Sequence, residues 1–68
     1  RLQSLALSRR EAEVMRWVCE GKANSEIAAI LDVTVHTVNR HMEHVLAKLG
    51  VDNRQKAIVA VMERLGAS

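Results

Sequence analysis

Proline, phenylalanine and tyrosine are absent from these 68 residues, and cysteine and tryptophan occur once each. With no Phe or Tyr, a core must be assembled from Val, Leu, Ile, Ala and Met, which favours helices over a sheet. A single cysteine, Cys19, excludes an internal disulfide, and no Cys/His set has zinc-finger spacing, so a reducing cytoplasm fits best. One aromatic residue, Trp17, is too few for a stacking platform that holds single-stranded nucleic acid. Its expected role is packing, against the fourth helix or a further domain. No apolar run approaches the roughly 20 residues that span a bilayer, and no secretory pattern opens the chain, so no membrane partner is expected. Repeats and low-complexity tracts are also missing. Only Arg1 to Ala6 and Ala67 to Ser68 read as loose ends.

Charge of either sign is limited as well. Ten Lys and Arg against eight Asp and Glu leave a formal charge of +2, a balance that permits a nucleic-acid partner without demanding one. A chain of this length makes one domain, near the lower limit for folding without metals or disulfides, so a long cleft between domains is not expected. The chain starts at Arg1 rather than Met. It is therefore expected to be a single domain, residues 1–68, forming the C-terminal part of something longer.

What the sequence does contain is helical punctuation. Ser8 and Glu11 have the spacing of a capping box, followed by a helix over about 9–20 with Val14, Met15, Val18 and Cys19 on one side and Gly21 as its left-handed stop. Asn24 is the expected N-cap of a short helix over 25–31 carrying Ile27, Ala28 and Leu31. Asp32 and Val33 break the pattern. Thr34 caps a third helix over 35–49, with Gly50 as its stop. At 100° per residue this helix collects Val35, Val38, Met42, Val45, Leu46 and Leu49 on its core side. His36, Arg40, Glu43, His44 and Ala47 collect opposite, flanked by Thr37 and Asn39. Asn53 caps a fourth helix over 54–65, closed by Gly66. Its inward stripe is Ala57, Ile58, Val61 and Leu65, whereas Val59 and Met62 fall toward another side and suggest a second partner.

No nucleophile, base and orienting group can be assembled, so no enzymatic activity is expected. His36, His41 and His44 do not converge on one direction, and no third ligand accompanies the His41/His44 pair, so neither a metal nor another cofactor is expected. Cys19, in an apolar stripe, reads as a small buried hydrophobe rather than a nucleophile. A short helix, a three-residue break and a longer helix with a polar front half do fit a helix-turn-helix, although bundles that touch no DNA also contain such pairs.

The residue string is more specific than the geometry. Leu7-Ser8-x-Arg10-Glu11-x-Glu13-Val14, Gly21, Asn24-x-Glu26-Ile27-Ala28-x-x-Leu31, Thr37-Val38-x-x-His41, Lys48-Leu49-x-Val51 and Arg54-x-x-Ala57 resemble the LuxR-type (NarL/FixJ, GerE-like) DNA-binding domain, without a gap over about fifty residues. The resemblance implies an all-α, four-helix module of bacterial transcription regulators that binds double-stranded DNA. Such modules are attached to a receiver, an acyl-homoserine-lactone-binding domain or another sensor. It further implies that helix 3 is the recognition helix in the major groove and that helix 4 forms a homodimer contact, for which Val59 and Met62 are the candidates. RNA polymerase is a possible further partner. The positions that reach bases correspond to Asn39, Arg40 and Glu43. Asn39 replaces a frequent Lys or Arg, and Glu43 stands where some relatives carry a cation.

Chemically, Arg40 suits guanine O6 and N7, and Asn39 suits adenine N6 and N7. Glu43 either accepts from cytosine N4 or orients Arg40 across one helical turn, the second being preferred. Lys22, Asn24, Thr34, His36, Thr37, His44, Lys48 and Arg54 are the candidate phosphate contacts. Thr34 can also serve as an ordinary cap, and Arg54 is a possible internal partner of Glu11. The alternative to DNA binding is a protein-interaction module that retains the fold, motivated by the modest charge and by Asn39 and Glu43.

Overall fold

The computed structural model describes residues 7–66, the last two without their side chains. Both expected loose ends, 1–6 and 67–68, and the side chain of Leu65 lie outside the described residues. Four helices follow in order: α1 Arg9–Cys19, α2 Asn24–Leu31, α3 Val35–Leu49 and α4 Arg54–Gly66. This is the all-α arrangement expected, with no strand among the described residues.

Each helix begins and ends for a local chemical reason. At α1 the Ser8 N–H donates to Glu11 Oε1 at 2.9 Å and the Glu11 N–H donates to Ser8 Oγ at 3.1 Å, the reciprocal box that the spacing implied. Gly21, at φ +89°, reverses the chain, so that the Lys22 N–H reaches back to the Trp17 carbonyl at 3.0 Å. Thr34 caps α3 by accepting the Thr37 N–H at 3.1 Å, and Gly50, at φ +70°, ends it. Asn53 Oδ1 accepts the Lys56 N–H at 2.8 Å at the head of α4.

Some details differ from the sequence expectation or add to it. Asn24 is not the N-cap of α2. Ala23 holds that place and Asn24 is already helical, because Glu26 Oε1 accepts the Ala23 N–H at 2.8 Å while the Asn24 side chain is drawn elsewhere. Asp32 ends the same helix in a left-handed conformation, φ 58° and ψ 47°, which an Asp tolerates better than most residues. Val35, expected in the core, is 43% exposed. It is the first helical residue of α3, beside the turn, and lies outside the buried cluster. In addition, α4 includes Gly66 rather than stopping before it.

Helix α3 packs against α1, α2 and α4, which makes it the axis of the bundle. The core is Val14, Met15 and Val18 of α1, Ile27 and Ala28 of α2, Val38, Met42 and Val45 of α3, and Ala57 and Val61 of α4. Leu7, Trp17, Cys19, Leu31, Leu46, Leu49 and Ile58 close its rim, half-buried. Trp17 also carries the Arg16 guanidinium over its ring, 5.3 Å from the centroid. No helix among the described residues is long and apolar enough to cross a membrane.

Candidate nucleic-acid interface

Because Val38, Met42 and Val45 anchor α3 from below, the polar residues between them are forced outward. His36, Asn39, Arg40, Glu43 and His44 are all exposed, Thr37 and His41 half-buried. The turn Asp32 to Thr34 presents the start of α3, where the Thr34 and Thr37 hydroxyls meet at 3.0 Å. The Thr34 oxygen is thereby committed to its cap, and the remaining N–H groups of the first turn stay open to an anion.

Within this face the side chains divide by what holds them. Arg40 and Glu43 make no ion pair with each other, so the orienting pair expected across one turn is not formed, and neither has another ion-pair partner among the described residues. Asn39 is held: its Oδ1 accepts from Asn24 Nδ2 at 2.8 Å. Asn24 Oδ1 in turn accepts from Arg54 Nη1 at 2.6 Å, and Arg54 Nη2 donates to the Lys22 carbonyl at 2.7 Å. One guanidinium thus ties the start of α4 to the α1–α2 connection and, through Asn24, to the front of α3.

At the far end of α3, Lys48 Nζ lies 2.7 Å from Glu11 Oε1, and His44 Nδ1 lies 3.7 Å from Glu11 Oε2. This corrects the possible Glu11–Arg54 bridge: Arg54 is spent on Asn24 and Lys22, and Glu11 is satisfied from α3. Glu11 is 5% exposed. Burial pushes its carboxyl up, but the Lys48 hydrogen bond, the Ser8 N–H and hydroxyl, and the Lys48 charge together hold it below its ordinary value. Sequence reasoning identified Glu11 as a capping residue and missed its tie to Lys48. The i,i+4 placement of His44 and Lys48 on one side of α3 was the available signal.

Elsewhere, Cys19 is half-buried, and desolvation followed by the charge of Glu20 pushes its thiol up, which disfavours the thiolate. On α4, Val59 and Met62 are 48% and 53% exposed, and Val59 borders a shallow groove with Val51, Gln55, Lys56, Ala60 and Glu63.

A capped turn of three residues, a short bracing helix and a longer helix with a polar, outward front half define a helix-turn-helix module. The chain belongs to the luxR family of bacterial regulatory proteins, whose family model matches residues 5–65. It is 48% identical over 60 residues to the transcriptional activator protein AnoR of Acinetobacter nosocomialis, covering 87% of this chain and 25% of that protein. It is likewise 49% identical over 51 residues to the transcriptional activator protein EsaR of Pantoea stewartii subsp. stewartii, covering 75% and 20%. To the regulatory protein SdiA of Escherichia coli K12 it is 43% identical over 47 residues, covering 69% and 20%. The chain therefore spans a quarter or less of the length of these relatives.

Proposed function

We propose that this chain is the sequence-specific, double-stranded-DNA-binding module of a longer transcription regulator, with α3 in the major groove. The observation that carries the reading is the exposed front half of α3, where Arg40, beside Asn39 and Glu43, has no ion-pair partner among the described residues. Membership of a regulator family supports it. Arg40 donates two parallel hydrogen bonds to guanine, Asn39 reads the neighbouring base, and Glu43 faces the bases as an acceptor. Lys22, Thr34, His36, Thr37, His44 and Lys48 face phosphates around them, with Thr34 acting as cap at the same time. Asn24 and Arg54 serve first as internal supports, since their polar groups bind each other.

A selection from random duplexes tests the reading. Arg40→Ala is expected to relax preference at one base pair, by about 1–3 kcal/mol. Lys22→Ala is expected to weaken all sequences alike and to lower the salt dependence by about one phosphate contact. If neither substitution alters binding to any duplex, or if the parent protein selects none at low salt while capturing a protein tightly, the interaction-module alternative prevails.

The reading includes a homodimer on paired half-sites through Val59 and Met62, supported by their exposure on the outer side of α4. A contact of one short helix is small, so the free domain is expected to sediment as a monomer and to pair only on DNA. The double substitution Val59→Glu with Met62→Glu should abolish cooperative filling of a two-half-site duplex and leave single half-site affinity intact. Equal cooperativity in the parent and the variant would remove α4 from the interface.

A further inference from the structure

The hydrogen-bond chain from Arg54 to Asn39 has a direction, and the direction decides which atoms Asn39 can offer to a base. A guanidinium carries only donors. Arg54 Nη1 therefore fixes the Asn24 atom 2.6 Å away as oxygen, and the other branch of that amide, facing Asn39, as the amino group. An amino group facing Asn39 requires an acceptor, so Asn39 turns Oδ1 back toward Asn24 at 2.8 Å. Flipping the Asn24 amide would set donor against donor at Arg54, and flipping that of Asn39 would do the same at Asn24. The Asn39 Nδ2 group, with two N–H donors and no partner among the described residues, is left on the exposed side of α3. Arg54 is itself pinned by the Lys22 carbonyl at 2.7 Å, and both Arg54 and Asn24 are half-buried, so the relay starts from a supported group.

We propose that Asn24, oriented by Arg54, is a positioning residue that presents Asn39 to DNA as a donor, so that Asn39 selects base edges carrying only acceptors, guanine foremost. The proposal rests on the DNA-binding reading above. It reverses the expectation from residue type alone, under which Asn39 would pair with adenine. That pairing needs Oδ1 to accept from adenine N6 while Nδ2 donates to N7. With Oδ1 turned inward, adenine offers one acceptor and sets its own amino group against another donor. Guanine offers N7 and O6, both acceptors, and thymine offers O4.

The relay also predicts how to invert the preference. In Asn24→Asp both side-chain oxygens accept, so one still receives Arg54 while the other demands the Asn39 amino group. Asn39 must then flip and expose Oδ1, which suits the amino groups of adenine and cytosine. An Asp in the first turn of α2 is compatible with the helix, and thermal unfolding verifies that the variant is folded.

The experiment is a random-duplex selection with the 68-residue chain and its Asn39→Ala, Asn24→Ala and Asn24→Asp forms. Asn39→Ala identifies the base pair that Asn39 faces, as the one whose preference it erases. There the parent should favour guanine over adenine by about tenfold. Asn24→Ala should bring that ratio close to parity, and Asn24→Asp should invert it, while the base read by Arg40 stays unchanged in all forms. A parent preference for adenine at that position overturns the proposal and leaves the DNA-binding reading standing. So does a guanine preference unaltered in folded Asn24→Asp. Failure of every form to select any sequence removes both.

Discussion

Replacing Ile27 with alanine should destabilise the domain by about 2–5 kcal/mol, the range for large-to-small changes of a fully buried aliphatic residue. Ile27 is 0% exposed, and α2 buries only Ile27 and Ala28. An eight-residue helix is far too short to persist alone, so its place beneath α3 depends chiefly on those two side chains, with Leu31 at the rim. A chain of 68 residues has a total stability of roughly 3–10 kcal/mol, so a loss of this size removes a large share of it. Each kcal/mol corresponds to about 4–8 °C in melting temperature for a domain of this size. The matched control is Ile30→Ala. Ile30 lies on the same helix at 45% exposure, and its loss should cost well under half as much. Urea unfolding of the two variants measures the contrast. Equal costs would show that α2 is not held through its buried side, and that the helix-turn-helix geometry depends on the turn itself.

The elements legible in the sequence were those written in short-range chemistry. Ser8 with Glu11, Thr34 with Thr37, and glycines 21 and 50 each act within about one helical turn, and each is found as the spacing implies. The apolar stripe of α3 was equally readable, because Val38, Met42 and Val45 repeat at helical spacing and are buried accordingly. Errors came where a residue had two competing uses. Asn24 has the right chemistry for a cap, yet a partner 30 positions away, Arg54, takes its oxygen, while Glu26 satisfies the backbone of Ala23. Arg54 and Lys48 were interchangeable as partners of Glu11 on charge alone. Only the packing of α3 on α1 decides for Lys48.

These long-range choices shape the candidate interface more than the local ones do. The front of α3 carries an exposed Arg40 and a restrained Asn39, whereas its rear is tied to α1 through Lys48 and Glu11. A restrained side chain loses less conformational entropy on binding, so its contacts contribute more of their strength to discrimination. Residue types on a helical wheel indicate which side chains face outward. Which atoms of an amide face outward is a property of the network behind it.

The rear tie makes stability depend on acid. Glu11→Ala should cost about 1.5–3 kcal/mol near neutral pH, the range for hydrogen bonds to a charged group, because it removes both the acceptor for the Ser8 N–H and the partner of Lys48. Glu11→Gln keeps a capping oxygen and loses the charge, so it should fall between the two. The folded carboxyl titrates below its ordinary value of 4.5, since Lys48 and Ser8 together outweigh the opposing effect of burial. A lowered folded value means that the contribution is fully present above the unfolded value and is lost as pH falls from there through the folded one. Urea unfolding across that acid range should show the gap between parent and Glu11→Gln closing, while at higher pH it stays constant. Lys48→Met should close most of the same gap at neutral pH, because the carboxyl would then face burial without its lysine partner. A gap between parent and Glu11→Gln that is the same at every pH would show that Glu11 acts as a neutral cap and that its bridge to α3 adds nothing to the fold.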